Sequence, residues 1–386
     1  MIETPPTARP AAPTAAGALA VRRLAKRAWQ RVRPETPFYL AILGLVLLTL
    51  ATMSGWGRAA AKPVPLPEGV RQAKVRAFAL PVPNAGLMFP VADQQGNLWW
   101  GEMLTNHLSR LNPSTGKVTS WTPPGGRNNI MTIQVDASGK IWFAEQLANY
   151  LARFDPATQQ FTTYPLPSVG GVPAAPQDIV FDAHGKLWYT LLNGGAIGRL
   201  DPVTGAMTSY ALPQVAGKKP LPFSLAVTPE GKVWFGLLAQ GAIGVLDPSN
   251  GHVSLTPLSD ATTSVFAMAG DHSGHIWFSE LESPRLGMID TASGQMREIA
   301  LTKPLGDPTS LYSIAVADDG SVWMASSGAN ALVRYTPSLA TFTYLALPRA
   351  ASVPYGLAFD THGTLWLTAV STPDNYVGAV AAADLR

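Results

Sequence analysis

The chain has 386 residues, no cysteine, 14% charged and 47% hydrophobic residues, with 35 glycines, 34 prolines and 11 tryptophans. Such a composition supports a large core and excludes a disordered chain, a disulfide scaffold and thiolate metal sites. The net charge of +3 hides an asymmetry. Residues 1–61 hold eight basic side chains (Arg9, Arg22, Arg23, Lys26, Arg27, Arg31, Arg33, Arg58) against Glu3 and Glu35. The remainder keeps 20 basic and 23 acidic residues of the 28 and 25 in the whole. Without a basic footprint there, no nucleic-acid partner is expected.

Residues 1–37 read as a disordered cytoplasmic tail. Residues 38–57, FYLAILGLVLLTLATMSGWG, carry no charge over 20 positions, enough to span a bilayer core as a helix. The basic cluster Arg22–Arg33 precedes this run, so the positive-inside rule places the N-terminus in the cytoplasm and exports the rest of the chain. A retained inner-membrane anchor is favoured over a signal cleaved near Ala61 that would release a secreted protein. Residues 58–74, proline-rich over Lys62–Arg71, form the expected extended linker to a periplasmic or extracellular domain.

From residue 75 onward one unit recurs. Trp99, Trp142, Trp188, Trp234, Trp277, Trp323 and Trp366 stand 43 or 46 residues apart, each behind a Gly-x-aliphatic or similar turn. Each unit holds four short apolar runs separated by turn residues, such as 131–135, 141–145, 150–154 and 161–164. Four strands per repeat of this length predict a propeller blade, hence an all-β, seven-bladed β-propeller over 75–386. The seventh unit stops near Asp384 without a fourth strand, and Val75–Pro81 resembles the missing one. Residues 75–81 should therefore close the ring inside the last blade. The repeated Trp is expected to be a packing wedge.

Two positions per unit should face the central channel. Eleven residues before each Trp stand Met88, Met131, Gln177, Phe223, Phe266, Tyr312 and Tyr355; three after it stand Glu102, Glu145, Leu191, Leu237, Glu280, Ser326 and Ala369. An apolar, aromatic funnel with a few carboxylates suits a small-molecule or protein ligand on the channel face of a monomer. Glu102 and Glu145, on neighbouring blades, are the candidate catalytic carboxylates and the candidate ligands for Mg²⁺ or Ca²⁺. His107, in the loop after the second strand of the first unit, is the candidate base. Arg127, Lys218, Lys219 and Lys303 belong to loops of the same face.

The stretches Trp142-Phe-Ala-Glu145, Trp277-Phe-Ser-Glu280, Gly195-Ala-Ile-Gly-Arg-Leu200 and Thr163-Tyr-Pro-Leu-Pro167 resemble the repeat of the streptogramin B lyases, also called virginiamycin B lyases. The resemblance covers residues 75–386. It implies a metal-assisted carbon–oxygen lyase that opens a cyclic ester or lactone, with metal-binding glutamates matching Glu102, Glu145 and Glu280. The family's basic histidine, at the start of an inner strand, has no counterpart among the seven residues eleven before each Trp. A non-catalytic ligand- or protein-binding propeller (a sensor or scaffold) is the alternative, and a lactonase-type propeller, with glutamate and asparagine on Ca²⁺ and Asn106 and Asn129 as its asparagines, a third.

Overall fold

The computed structural model describes residues 66–126, 129–306, 310–349, 351–370 and 375–385. The tail, the apolar run 38–57 and most of the linker lie outside the described residues. Among the described residues no helix is long and apolar enough to cross a membrane.

Seven sheets make a β-propeller, each sheet a blade, and in the first five blades the strands follow chain order from hub to edge. Blade two is typical. It runs Ile130–Val135, Ile141–Glu145, Tyr150–Asp155 and Gln160–Pro165, antiparallel throughout. Inner strands of consecutive blades lie side by side, and Pro354–Phe359 of blade seven meets Val91–Ala92 of blade one, which closes the circle.

The closure has the expected form. Arg76–Ala79 pairs antiparallel with Tyr376–Val380 as the outer strand of blade seven. Phe78 is buried there and its ring lies 5.8 Å from that of Trp366. One strand was not expected: Val70–Gln72, read as linker, adds to blade six in parallel with Thr341–Ala346. The chain therefore clasps two neighbouring blades before its first complete unit begins.

The repeat tryptophans are all buried, as wedges should be. Trp142, for example, packs in one cluster with Ile179, Leu187 and Tyr189 of the next blade. Glycine in the third strand has a packing reason. A Cβ on Gly198 would lie 2.1 Å from the Tyr189 ring, so only glycine lets that ring lie flat across the neighbouring strand.

Candidate functional site

The hub side chains are aimed by a local irregularity. In blades two to seven the pairing of first and second strands slips at the start of the inner strand, between Ile130 and Ile133, Pro176 and Ile179, Pro222 and Ser224, Val265 and Ala267, Leu311 and Ser313, and Pro354 and Gly356. Met131, Gln177, Phe223, Phe266, Tyr312 and Tyr355 each sit inside that bulge. A bulge swings its extra residue out of the pleat, and here the swing turns six side chains to the hub. The second strands end opposite them, with Glu145 facing Ile130 and Glu280 facing Val265.

The aromatic half of this lining packs ring against ring. The Phe266 ring lies 4.7 Å from Phe223, 5.3 Å from Tyr312, 6.2 Å from Tyr355 and 6.3 Å from Phe89. Tyr312 stacks on Tyr355 at 4.7 Å, and Phe89 meets Tyr355 at 5.3 Å. Phe223, Phe266, Tyr312 and Tyr355 are all buried. The two-position pattern gives the direction of each side chain but not its reach, and these rings are long enough to meet.

Blades one to three differ. Their hub residues Met88, Met131 and Gln177 are buried beside polar groups. Glu102 is saturated with donors: Ser109 Oγ gives a hydrogen bond of 2.7 Å and Trp100 Nε1 one of 3.3 Å to Oε1, while Thr105 Oγ1 donates to Oε2. His107 opens the third strand, His107–Asn112, rather than lying in the loop before it. Its Nδ1 lies 3.4 Å from the same Oε2. His107 and Glu102 therefore lie side by side, with the imidazole partly exposed and the carboxylate buried.

Glu145 occupies the same place in blade two with opposite surroundings. It is fully buried and neither carboxylate oxygen has a side-chain hydrogen-bond partner. Burial pushes its pKa up to about 8, an effect the nearby Asn129 amide offsets only in part. The sequence contains the reason. Where Glu102 has Trp100, Thr105 and Ser109, Glu145 has Phe143, Ala148 and Ala152, none able to donate from its side chain. The two glutamates are nonetheless neighbours across a tight seam. A Cβ on Gly101 would stand 2.3 Å from Ile130, whose strand partner is Glu145.

Glu280, in blade five, is also buried without a hydrogen-bond partner, 3.9 Å from Arg285 Nη1. Burial, then the facing Glu298 carboxyl, push its pKa up to about 8. Asp178 was missed by the two-position rule because it follows Gln177 within the bulge. Its carboxylate accepts the amides of Leu225, in blade four, at 2.8 Å and of Ile179 at 2.9 Å, while burial pushes its pKa up to about 7. Related contacts, Thr132 Oγ1 to the Gln177 carbonyl and Ser224 Oγ to the Val265 carbonyl, stitch other blades together at the hub.

The loops above this polar sector are apolar at their tips. Leu104 and Leu147 follow the second strands of blades one and two; Val169 and Val172 lie between blades two and three; all four are exposed. Strand direction puts these loops on the channel face. Lys218, Lys219 and Lys303 lie in other loops of that face, and Arg127 lies outside the described residues. No three His, Asp or Glu side chains converge as a metal cluster among the described residues.

A model of the virginiamycin B lyase family matches residues 68–335. The chain belongs to that family. A streptogramin B lyase structure is 24% identical with a TM-score of 0.70, covering 79% of this chain and 96% of its own. The virginiamycin B lyase of Staphylococcus aureus is 23% identical with a TM-score of 0.71, covering 80% and 99%. A catalytically inactive histidine-to-alanine variant of the S. aureus enzyme, solved with quinupristin, matches equally well. The extracellular domain of a putative hybrid two-component system from B. thetaiotaomicron has a TM-score of 0.63 at 16% identity, covering 81% of this chain and 43% of its own. At these identities the likeness is one of fold. No curated protein matches the sequence.

Proposed function

We propose that this chain is an exported, membrane-tethered binding propeller, which takes its ligand on the channel face over blades one to three. The observation that carries this reading is the aromatic plug. The positions that open the inner strands of blades four to seven hold Phe223, Phe266, Tyr312 and Tyr355, packed ring on ring, with no base among them. Removing a positioned general base typically costs about 10²–10⁴-fold in rate. The free surface instead combines exposed Leu104, Leu147, Val169 and Val172 with a partly exposed imidazole above buried polar groups. Apolar contact area with a few fixed polar groups is the usual make-up of a small-molecule site. The ligand class is a small molecule carrying both apolar substituents and amide or ester groups, bound by a monomer. Residues 38–57 supply the anchor, with the N-terminus in the cytoplasm and the propeller outside.

A second reading has one specific observation in its favour, the pairing of His107 with Glu102. A buried carboxylate on Nδ1 orients an imidazole so that Nε2 can take a proton, the arrangement of an acid–base pair. In that reading the protein is a lyase-like enzyme on a cyclic ester or lactone, and His107 removes the proton at Nε2 while Glu102 steadies the imidazolium. A divalent ion, when bound, would polarise the ester carbonyl. Glu102 is already occupied by four side-chain groups, so Glu145 would be its carboxylate ligand.

Quinupristin, the compound bound by the S. aureus variant, separates the two readings. Calorimetric titration of the full-length protein should show saturable binding without ring opening, weakened at least about tenfold by Leu147→Asp. Ring opening that disappears in His107→Ala would replace the binding reading by the enzymatic one. No binding at all would remove the proposed ligand class.

A further inference from the structure

The unequal spacing of the repeat has a structural cause. The inner strand opens twelve residues before its Trp in blades two to seven, and the fourth strand closes twenty-three after it in blades two to six. The three residues that separate a 46-residue unit from a 43-residue one therefore lie in the connection between blades. Strand direction puts that connection on the channel face, and the longer form precedes blades three, four and six.

Before blades three and four the added residues fold into the same small hairpin. Val169 and Val172 exchange backbone hydrogen bonds of 2.8 and 3.1 Å across Gly170-Gly171, and Val215 and Lys218 exchange two of 2.9 Å across Ala216-Gly217. All four central residues have positive φ, between 49° and 78°, as a type I′ turn requires. The second hairpin is held further. The Gln240 side chain accepts the Leu221 amide and donates to the Lys219 carbonyl, both at 2.8 Å. The Lys219 stem lies across the bare face of Gly195, where a Cβ would stand 3.1 Å from Lys219 Cε.

The tips share one chemistry. Val169 and Val172 are exposed, as are Leu147 and Leu104 on the loops of blades two and one, and so are Lys218 and Lys219. The channel-face loops 103–106, 146–149, 166–175, 192–195, 212–221 and 238–241 contain no Asp or Glu. The carboxylates that precede the first two of them, Glu102 and Glu145, are buried. At the opposite end of these blades the turns 93–97, 112–117, 136–140, 155–160, 182–186, 201–206, 228–232 and 247–252 hold seven carboxylates against four lysines. One end is apolar and basic, the other acidic. Exposed Val203 and Leu339 stand singly on turns of the opposite end of blades three and six, whereas the four channel-face aliphatics share one arc.

We propose that the channel face of blades one to four docks on an anionic lipid surface, its aliphatic tips entering the headgroup region while Lys218 and Lys219 meet lipid phosphates. Buried apolar area and attraction to negative headgroups are the two terms on which interfacial binding depends. The acidic far end is repelled by the same surface, so the charge distribution selects the orientation. The loops contain no aromatic residue and no Arg, the side chains that anchor most protein partners, which favours lipid over an acidic protein. The docking face coincides with the proposed ligand surface but does not rest on that reading, since headgroup attraction needs no pocket.

The chain has no cysteine, so one environment-sensitive label can be placed on a single introduced thiol. Full-length protein carrying Val172→Cys, or Val203→Cys as the control at the opposite end, is mixed with vesicles of phosphatidylcholine, with or without phosphatidylglycerol. The label at position 172 should shift to the blue with the anionic vesicles, lose that shift in high salt, and stay unshifted with the neutral ones. The label at position 203 should not respond. Lys218→Glu combined with Lys219→Glu should raise the lipid concentration needed at least about tenfold and, both side chains being exposed, leave the thermal midpoint unchanged. Equal shifts at both labels, equal shifts with both vesicle types, or an undiminished response in the lysine variant would overturn the proposal. A shift with soluble poly-glutamate and none with vesicles would replace the lipid by an acidic protein. Co-flotation with neutral vesicles reads the anchor and quinupristin titration reads the ligand site, so a failure of either is seen separately.

Discussion

The indole of Trp142 donates a 2.8 Å hydrogen bond to Asp136 Oδ2, and the other oxygen of that carboxylate accepts the amides of Ser138 and Lys140. One side chain thus fixes the turn between the first two strands and anchors the wedge between blades. The pairing recurs as Trp99 with Asp93, Trp188 with Asp182, Trp277 with Asp271 and Trp366 with Asp360. In blade six Ser321 Oγ accepts the Trp323 indole instead, at 3.1 Å. Blade four departs furthest. Thr228 stands in the Asp position and Trp234 Nε1 is buried without a partner.

That exception makes a prediction. Thr228→Asp should stabilise the protein by about 1 kcal/mol by supplying the missing acceptor, seen as a thermal midpoint raised by roughly 2 °C. Asp182→Ala should lower stability by about 1–3 kcal/mol, since it strands one indole N–H and two turn amides. A midpoint that falls in Thr228→Asp would show that the orphaned indole is not what limits this blade.

Phe266 touches rings from blades one, four, six and seven, so its loss should be felt across the hub. Phe266→Ala should cost about 3–5 kcal/mol in chemical denaturation. A cost under about 1 kcal/mol would mean that the rings line an open space rather than fill it.

The N-terminal clasp gives a third expectation. Phe78→Ala removes a buried ring from Trp366 at the edge of blade seven and should cost about 3 kcal/mol. Proteolysis should then cut first near the closure, between the last blade and residues 76–79. Unchanged protection there would contradict a ring held by this strand.

The buried carboxyls set the pH dependence. Glu145 and Glu280 have folded pKa values of about 8 against a usual 4.5, both raised chiefly by burial. The folded state therefore binds more protons than the unfolded state between these values, and stability falls as pH rises from about 4.5 to about 8. Glu145→Gln should change stability little at pH 5 and raise it by on the order of 2 kcal/mol above pH 8. Parallel pH profiles for the variant and the wild type would contradict an uncompensated carboxylate.

Much of this molecule was legible in the sequence because the repeat is physical. A Trp every 43 or 46 residues marks one wedge per blade, and the likeness of Val75–Pro81 to the fourth strands of other units marks the strand that completes blade seven. Val70–Gln72 gave no such signal, since three residues without a counterpart in the other units leave a parallel fifth strand unannounced. The channel positions were legible in direction, through their spacing from Trp, but not in reach. Rings that would line a wide hub meet across this one. The contrast between Glu102 and Glu145 was hidden by their shared Trp-x-x-Glu motif. It becomes readable only when positions two before and three and seven after each glutamate are compared for donors, as Trp100, Thr105 and Ser109 against Phe143, Ala148 and Ala152.

The proposal that blades four to seven hold a plug, not a catalytic hub, is tested most directly by product analysis. Full-length protein is incubated with quinupristin and a divalent ion, and the compound is followed by mass-resolved chromatography. Elimination opens the ring without changing mass, whereas hydrolysis adds one water. A plugged hub predicts that the cyclic compound persists, bound but unaltered. An isomeric linear product that still forms in His107→Ala and is lost in Tyr355→Ala would place the chemistry at the hub and contradict it.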